Sequence, residues 1–532
     1  MCSNQMCKKN AEIAVDQIRT ISKQRLRNKI DNFYSFFTIL LPAIDNFLFK
    51  IRILETKLRI SSSALKTGSS KRRVKMGNGI NGRKVGFAAI VAMVLFCIFS
   101  VGSFVPITRA TKAYKKVGCK IELDRGVLPA ENPQNVVVKV TLDAPAPPSR
   151  MERPPVNIAI VLDRSGSMSG QKLEKAKQAA IEALRRLGQK DMFSVIVYDH
   201  NVKTIVPAQS ARNVEWIESR IRGIGPGGNT ALFGGVSQGA SEVRKNLSNK
   251  YVHRIILLSD GLANVGPSSP EDLGRLGAAL IKESISVTTI GVGTDYNEDL
   301  MARLSQNSDG NTYFVESSRD LPKIFAAELG DVLNVVAKKV SVIIQCPNGV
   351  EPVRIIGRDG RINGGTVALS LNQLYGGQEK YVLVEVRVPA GKNGEDTKVA
   401  MAEVTYVNPF TRKKEISKGH VNASFSRDPA TVEKSANIGV KRDVQLNKKA
   451  LAEEEAIRFS DDGKAGQAVD ALLNSAQQLK DFGTKYKDPE ILEKARELED
   501  EADALKTEGM TKKKRKELRT KSYQMKNQQK KY

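Results

Sequence analysis

Apolar and polar positions in the middle of the chain alternate between two periods, one typical of strands and one typical of helices. Asn157–Leu162 is a continuous apolar run, which predicts a buried strand, and Gln171–Leu187 has apolar residues at helical spacing. Further strands are predicted at Phe193–Tyr198, Arg254–Leu258, Val287–Val292 and Thr312–Val315. Further helices are predicted at Asn213–Ile221, Leu232–Leu247, Glu271–Glu283, Glu298–Leu304 and Leu321–Val336. Because such alternation favours a parallel sheet covered on both faces, we expect an α/β domain with a doubly wound, mostly parallel, Rossmann-like sheet over residues 155–337.

The hydrophobic period changes to two residues from Val340 onwards. Short alternating runs separated by turn residues predict an all-β, sandwich-like domain over residues 338–427. Asn135–Leu142 alternates in the same way, and residues 114–154 are interpreted as a β segment followed by a Pro-rich linker. If this segment supplies strands to the later β domain, the α/β domain is inserted into that domain.

The C-terminal part combines helical spacing with strong positive charge. Residues 430–508 are predicted to form helical hairpins. The basic tail, 509–532, is expected to be a solvated, disordered end, and deletion of 511–532 is expected to leave function intact. The formal net charge of +26 is concentrated at the two ends. Lys and Arg number 18 against 5 Asp and Glu in the basic N-terminal extension, 1–84, and 10 against 1 in 511–532. The middle of the chain is therefore close to neutral, and a nucleic-acid partner is disfavoured because the tail lacks interleaved aromatic residues.

An uncharged apolar run, Val85–Ile107, is long enough to span a hydrocarbon core of ~30 Å. Arg83 and Lys84 precede it directly, which favours export of the C-terminal part. The run is either an uncleaved signal anchor or a signal peptide that begins at Met76. We therefore expect a cell-envelope protein that is membrane-anchored through this run, or secreted or periplasmic after cleavage. Residues 1–75 fit neither alternative, and the hypothesis is that translation begins at Met76.

The sharpest chemical signal follows the first predicted strand of the α/β domain. Asp163, Ser165 and Ser167 are spaced two residues apart, so that in an extended segment their side chains point the same way. Thr230 precedes a predicted helix and Asp260 ends a predicted strand, which places both at the sheet edge where α/β folds bind ligands. Three hydroxyls and two carboxylates suit Mg²⁺, with Mn²⁺ or Ca²⁺ as alternatives, and disfavour zinc or copper.

The order of these motifs is similar to that of the von Willebrand factor A (vWA) domain family with its metal-ion-dependent adhesion site. The resemblance covers about residues 157–337 and rests on the DRSGS run, the Thr of GGNTALFGG and the SDG loop. Thr288–Gly293 and the segment after it look typical of exported bacterial members. The flanking β domain resembles, more weakly, the sandwich of inter-alpha-trypsin-inhibitor-like and calcium-activated-channel-like proteins.

The resemblance implies a role for each of the five motif residues. Ser165, Ser167 and Thr230 would ligate the ion, Asp163 and Asp260 would act directly or through waters, and a carboxylate from a partner protein would complete the shell. Hydroxyl ligands leave most of the ion's charge unneutralised, which suits an anionic partner. Two alternative interpretations stay open. Asp163 and Ser165 could be ordinary helix caps, or the site could bind an ion whose role is only to stabilise the loops.

Catalytic interpretations of the same region lack essential residues. Gly223–Thr230 has no Lys for a phosphate loop, and Gly166–Gly170 has Met at the centre where a hydrolase elbow needs Ser. His200, His253 and His420 lie outside the motif loops. The sequence therefore predicts a protein that is not an enzyme.

The cysteine and histidine content excludes two further classes of protein. With 41% apolar residues the chain can bury several cores, and three His and five Cys cannot support a Cys/His zinc protein or a dense disulfide scaffold. Cys119 and Cys346 are the exported cysteines outside the apolar run, and a disulfide between them is a candidate that the sequence leaves undecided.

Taken together, the patterns predict a metal-dependent, adhesion-type binding protein of the cell envelope, whose occupied site engages an acidic side chain of a partner. The alternative is a non-catalytic vWA subunit of an enzyme or of an AAA-type chaperone or chelatase assembly. The apparent export argues against this alternative because ATP is scarce outside the cytoplasm.

Overall fold

The computed structural model describes residues 115–148 and 151–529. The predicted membrane segment Val85–Ile107 and the extension before it lie outside these residues. Within the described ranges, no helix combines the length and the apolar character that a membrane crossing needs. The described chain begins with three strands, β1 (Gly118–Leu123), β2 (Val127–Pro129) and β3 (Gln134–Asp143).

The α/β domain follows these strands. Its strands are β4 (Val156–Asp163), β5 (Met192–Tyr198), β6 (Val202–Ser210), β7 (Val252–Ser259), β8 (Ile285–Val292) and β9 (Thr312–Val315). Its helices are α1 (Gln171–Arg185), α2 (Val214–Arg222), α3 (Leu232–Arg244), α4 (Pro270–Lys282), α5 (Glu298–Ser308) and α6 (Leu321–Val332). The sheet has the order β6-β5-β4-β7-β8-β9, and every pair is parallel except β5 with β6. The predicted α/β class with a mostly parallel sheet is confirmed.

Strand β6 was not predicted from the sequence. It is an antiparallel edge strand in which Val206 is buried and most other residues are partly exposed. Pro207 within it lacks an N–H donor, which is tolerated on an edge strand. A half-exposed edge strand therefore has a much weaker apolar signal than the buried strands beside it.

Both faces of the sheet are covered, because the central strands are apolar on both sides. In β4, Ile158, Ile160 and Leu162 face a core completed by α1, α2 and α6. Ala159 and Val161 face the opposite core, completed by α3, α4 and α5. Each large side chain buried in this way contributes about 1.5–3 kcal/mol, which holds the strand ends in fixed positions.

The strands of a β-sandwich come partly before and partly after the α/β domain in the sequence. Its later strands are β10 (Val335–Gln345), β11 (Glu351–Ile356), β12 (Arg361–Asn363), β13 (Thr366–Tyr375), β14 (Glu379–Val388), β15 (Asp396–Val407) and β16 (Lys414–Ser426). The two sheets have the orders β1-β3-β14-β11 and β12-β13-β10-β15-β16-β2. Because β3 pairs with β14 and β2 pairs with β16, strands on both sides of the α/β domain build the sandwich, and that domain is an insertion in it.

Arg254 fixes the amino end of β7 against the sandwich. Its fully buried guanidinium donates hydrogen bonds to Tyr375 Oη at 2.6 Å, Gln373 Oε1 at 2.9 Å and Thr288 Oγ1 at 3.2 Å. Glu328 of α6 lies 3.6 Å from its Nε and supplies the balancing charge. One end of β7 is thus tied to the neighbouring domain, and the other end carries Ser259.

Helices complete the described chain: α7 (Pro429–Lys434), α8 (Ile438–Asp461), α9 (Ala465–Tyr486), α10 (Pro489–Glu508) and α11 (Lys512–Lys526). The expectation of a solvated, disordered tail is wrong for residues 511–529. Leu518 and Tyr523 of α11 are only 1% and 3% exposed, because the helix packs on α8, α5 and β9. Arg515, Lys516 and Arg519 of α11 pair with carboxylates of α5 and α8, which a charge count along the chain does not reveal.

The C-terminal segment also covers the edge strand β9. The side-chain amide of Gln529 accepts from Thr312 N at 3.1 Å and donates to Thr312 O at 3.1 Å. Tyr523 donates to Gly310 O at 2.7 Å. These bonds satisfy backbone groups that an uncovered edge strand would leave unpaired.

The candidate disulfide between Cys119 and Cys346 is not formed, and both thiols are free. Cys119 lies on β1 beside β16, where a methyl group added to Gly419 would come within 3.0 Å of its carbonyl oxygen. Cys346 lies beyond β10 and donates its N–H to Gly365 O at 2.8 Å. Burial raises the pKa of each thiol to about 11, so that little reactive thiolate is present at neutral pH.

Candidate metal site at the carboxyl end of the sheet

Neighbouring parallel strands bring the two predicted aspartates to the same edge of the sheet. Leu162 of β4 pairs with Leu258 of β7, so Asp163 and the Ser259–Asp260 turn end side by side. Asp163 is fully buried and accepts from Ser165 N at 2.8 Å and from Ser259 Oγ at 2.7 Å. Burial raises the pKa of Asp163 above its usual range, and the nearby charge of Asp260 acts in the same direction.

The hydroxyl groups converge on the same point. Ser165 Oγ and Ser167 Oγ are 3.1 Å apart, and Ser167 Oγ donates to Asp260 Oδ1 at 2.7 Å. A methyl group added to Gly261 would lie 3.3 Å from Ser167 Oγ, 3.5 Å from Thr230 Oγ1 and 3.9 Å from Ser165 Oγ. The structure thus brings together all five residues that the sequence predicted. We call them the oxygen-donor cluster: Asp163, Ser165, Ser167, Thr230 and Asp260.

Backbone hydrogen bonds hold the loop that carries Thr230. Its N–H donates to Asn264 Oδ1 at 2.8 Å, and its carbonyl accepts from Asn264 N at 3.1 Å. Earlier in the loop, Gly227 N donates to Arg164 O at 2.6 Å. A Cβ at Gly227 would lie only 1.9 Å from Asp199 Oδ2, so glycine is required for this close approach. The three loops of the site therefore form one hydrogen-bonded unit.

The donor set fits a hard divalent cation. Asp163 and Asp260 are both fully buried, and Lys172 is the one cationic side chain of the described residues within ion-pair distance of either carboxylate. Hydroxyl and carboxylate oxygens are the ligands that Mg²⁺, Mn²⁺ and Ca²⁺ prefer. Among residues 115–148 and 151–529, no three His, Cys, Asp or Glu side chains group together as metal ligands. An ion at this site would therefore depend on the three hydroxyls.

Sequence reasoning missed two side chains that act on the cluster. Lys172 Nζ lies 2.5 Å from Asp260 Oδ2, and Asn264 orients Thr230. Lys172 follows the DRSGS run by a few residues in the first turn of α1, a position that would have indicated proximity to the site. Asn264 had no comparable signal, because its contact depends on how the loop after β7 folds back.

The histidines do not form a catalytic arrangement with the described hydroxyls of the cluster. His200 is exposed at the rim of the Thr230 loop, with its Nδ1 3.6 Å from Asp199 Oδ1. His253 is buried on β7 between Asn157 and the carbonyl of Ser248, and burial lowers its pKa to about 4. His420 lies on β16 of the sandwich, beside a cavity of about 410 Å³.

An apolar side chain projects from the same loops. Leu262 directly follows the Asp260–Gly261 turn and is 60% exposed, more than any other large hydrophobic residue of the described chain. A single exposed apolar side chain is ordinary on a protein surface, so the feature of interest is its position directly beside the cluster.

Comparisons with known proteins agree with this geometry. The family model of the von Willebrand factor type A domain matches residues 157–327. An uncharacterized protein of Synechocystis sp. is 26% identical over 309 residues, which are 56% of this chain and 71% of that protein. The uncharacterized protein YfbK of Escherichia coli is 26% identical over 43% of this chain, and human inter-alpha-trypsin inhibitor heavy chain H4 is 28% identical over 39%. These matches span only 40% and 23% of the two relatives' lengths.

Solved structures share the fold at low sequence identity. A von Willebrand factor type A protein from Catenulispora acidiphila has a TM-score of 0.56 at 16% identity and covers 69% of this chain and 88% of its own. The ArnB paralog VWA2 from Sulfolobus acidocaldarius has a TM-score of 0.52 at 16% identity and covers 77% of this chain and 98% of its own. Residues 157–327, which make up most of the α/β domain of this chain, are therefore a von Willebrand factor type A (vWA) domain.

Proposed function

We propose that the protein is a non-catalytic binding protein that engages an acidic side chain of a partner protein. A divalent ion, with Mg²⁺ as the first candidate, would mediate this contact at the oxygen-donor cluster. Domains of the vWA family commonly mediate metal-dependent protein interactions. The observation that carries the proposal is the convergence of Ser165, Ser167 and Thr230 around Gly261, beside two buried carboxylates.

The chemistry of the cluster suits capture of an anion. A bound divalent ion supplies a positive charge that the neutral hydroxyls of Ser165, Ser167 and Thr230 do not cancel. Asp163 and Asp260 are already committed to hydrogen bonds from Ser165, Ser259 and Ser167. These bonds keep the hydroxyl oxygens aimed at a single point and leave the outer side open to a partner's carboxylate.

Leu262 extends this surface with an apolar contact. A partner that places an apolar side chain beside its acidic residue would cover the exposed Leu262 and remove it from water. The carboxylate would then determine metal dependence, and the apolar contact would add affinity.

The proposed location is the cell envelope. Support comes from the uncharged run Val85–Ile107 and the basic residues before it, which favour export of the vWA domain. The protein would be anchored by this run, or released if the run is cleaved.

The test is capture of a partner from an envelope extract by the immobilised full chain in Mg²⁺, followed by elution with EDTA. We expect a protein that EDTA releases and that Thr230→Ala fails to capture. Ser241→Ala is the matched control, because this exposed hydroxyl lies on α3 and donates to Ser237 O within the same helix. Capture that survives both EDTA and Thr230→Ala would contradict the proposal and place the binding surface on the sandwich or the helices.

A further inference from the structure

A lysine of the chain itself contacts the oxygen-donor cluster. Lys172 Nζ lies 2.5 Å from Asp260 Oδ2, while the other oxygen of that carboxylate accepts from Ser167. The Asp260 side chain is fully buried, whereas Lys172 is 35% exposed. The ammonium therefore reaches a buried carboxylate from the surface and can swing back into solvent without disturbing the core.

The position of Lys172 is unfavourable for its own helix. It is the second residue of α1, whose amino end carries a partial positive charge, and a cation there is repelled by the helix dipole. Gly170, with φ of 77°, turns the chain into the helix without a side-chain cap. Helix formation thus gives no reason for a lysine here, and the contact with Asp260 does.

Other lysines of α1 have partners away from the cluster. Lys175 donates to Gln178, and Lys177 donates to the carbonyls of Arg222 and Ile224. The charges that face Lys172 come from the cluster itself: Asp260 is in direct contact, and Asp163 receives only hydrogen bonds from Ser165 and Ser259. Of the two buried carboxylates of the cluster, Asp260 alone has a cationic contact within the described structure.

We propose that Lys172 determines the affinity of the cluster for divalent ions by competing with them for Asp260. The inference rests on the proposed function, because it takes the five residues of the cluster as the ion's ligands. Without an ion, the ammonium neutralises a carboxylate that would otherwise be buried and unpaired, an arrangement that is costly. Binding of an ion requires the Lys172–Asp260 pair to break, so the lysine raises the divalent concentration at which the site fills.

The test is a Mn²⁺ titration of the full chain in mild detergent, with free Mn²⁺ measured by electron paramagnetic resonance. We expect Lys172→Met to bind Mn²⁺ about tenfold more tightly than wild type, since a partly buried ion pair of this kind is worth on the order of a tenfold change. Lys172→Arg keeps the charge and should stay close to wild type. Lys175→Met is the matched control on the same helix and should change nothing.

Thermal unfolding gives a second readout that does not depend on the binding curve. In EDTA, Lys172→Met should unfold at a lower temperature than wild type, because Asp260 then lacks a counter-ion. In saturating Mn²⁺ the difference should vanish or reverse. An equal loss of stability in both conditions would show a merely structural lysine and overturn the inference.

The two proposals fail in distinguishable ways. If wild type binds Mn²⁺ and Thr230→Ala does not, but Lys172→Met binds no more tightly than wild type, only the role of Lys172 is overturned. If neither wild type nor Lys172→Met binds Mn²⁺, the metal site itself is overturned, and the inference fails with it.

Discussion

The vWA domain carries two polar regions whose charge balance is opposite. The first is the oxygen-donor cluster, in which Asp163 and Asp260 are both buried and Lys172, among the described residues, pairs with Asp260 alone. We call the second the C-terminal charge cluster, in which basic residues of α11 meet acidic residues of α5 and α8: Arg515, Lys516, Arg519, Glu298, Asp299 and Asp461. Under the proposed function, the region with too few cations binds an ion, whereas the region whose acidic and basic groups are paired stabilises the fold.

Two aspartates, one from each region, show the difference directly. Burial favours the neutral form of both side chains. For Asp163, which no cationic side chain of the described residues contacts, burial prevails and its pKa is raised. For Asp299 burial is opposed by Arg519 and Arg515, with Arg519 Nη2 2.7 Å and Arg515 Nη2 2.6 Å from its oxygens, and its pKa is held below the usual range. Among the described residues, the same residue type therefore has no cationic contact at one site and two at the other.

Truncation after Met510, which removes residues 511–532, should have the largest effect, because it deletes one side of the C-terminal charge cluster and uncovers β9. Glu298 would be left without a cation at a buried position, and Tyr523 and Leu518 would no longer fill the groove beside α5. We expect the free energy of unfolding to fall by about 3–5 kcal/mol in urea titrations.

The same truncation should spare the oxygen-donor cluster. The affinity for Mn²⁺, measured at a temperature where the shortened chain is still folded, should stay within a few-fold of wild type. Unchanged stability would mean that α11 is not held by the contacts described, and lost Mn²⁺ binding would mean that the two regions are coupled.

Gly261→Ala should have the next largest effect, at the other region. The added methyl group would lie within 3.3–3.9 Å of three hydroxyl oxygens, in the space where a ligand has to enter. We expect Mn²⁺ affinity to fall about 10–100-fold, the range typical of changes beside metal ligands, with little change in urea stability.

Gly225→Ala is the control for that substitution. Gly225 lies in the loop before Thr230, and a methyl group there would have no neighbour within 4 Å. Mn²⁺ binding should be the same as in wild type. If Gly261→Ala binds as tightly as Gly225→Ala, then the three hydroxyls do not surround the ion.

The sequence predicted the oxygen-donor cluster and missed the C-terminal charge cluster for one physical reason. Asp163, Ser165 and Ser167 stand at and directly after the end of a buried strand, at a spacing of two residues. Parallel strands end at the same edge of a sheet, so the apolar pattern that predicts each strand also predicts where these residues meet. Arg515 meets Asp299 across more than two hundred residues, and nothing in a run of basic residues indicates where its carboxylates are.

The same distinction applies to the rest of the fold. Continuous apolar strands such as β4 and β7 predicted the sheet, while the half-exposed edge strand β6 gave too weak a pattern. Arg254 shows most clearly what the sequence cannot predict. An arginine within an apolar strand does not indicate which residues it contacts, and its partners Gln373 and Tyr375 belong to another domain.

Lys516→Met should have the smallest effect on the protein of these changes. Compared with a substitution in an exposed pair of α11, it tests whether burial determines how much an ion pair stabilises the fold. Lys516 is 4% exposed and bonds Glu298 at 2.8 Å, so its loss leaves that carboxylate with Arg515 alone. We expect the free energy of unfolding to fall by about 1–2 kcal/mol in urea. This is less than the cost of a buried charge without any partner, because Arg515 still pairs with Glu298. Lys512→Met is the matched control: its pair with Asp295 is solvent-exposed on both sides and should contribute less than about 0.5 kcal/mol. Equal effects of the two substitutions would show that charge number, rather than burial, holds α11 in place.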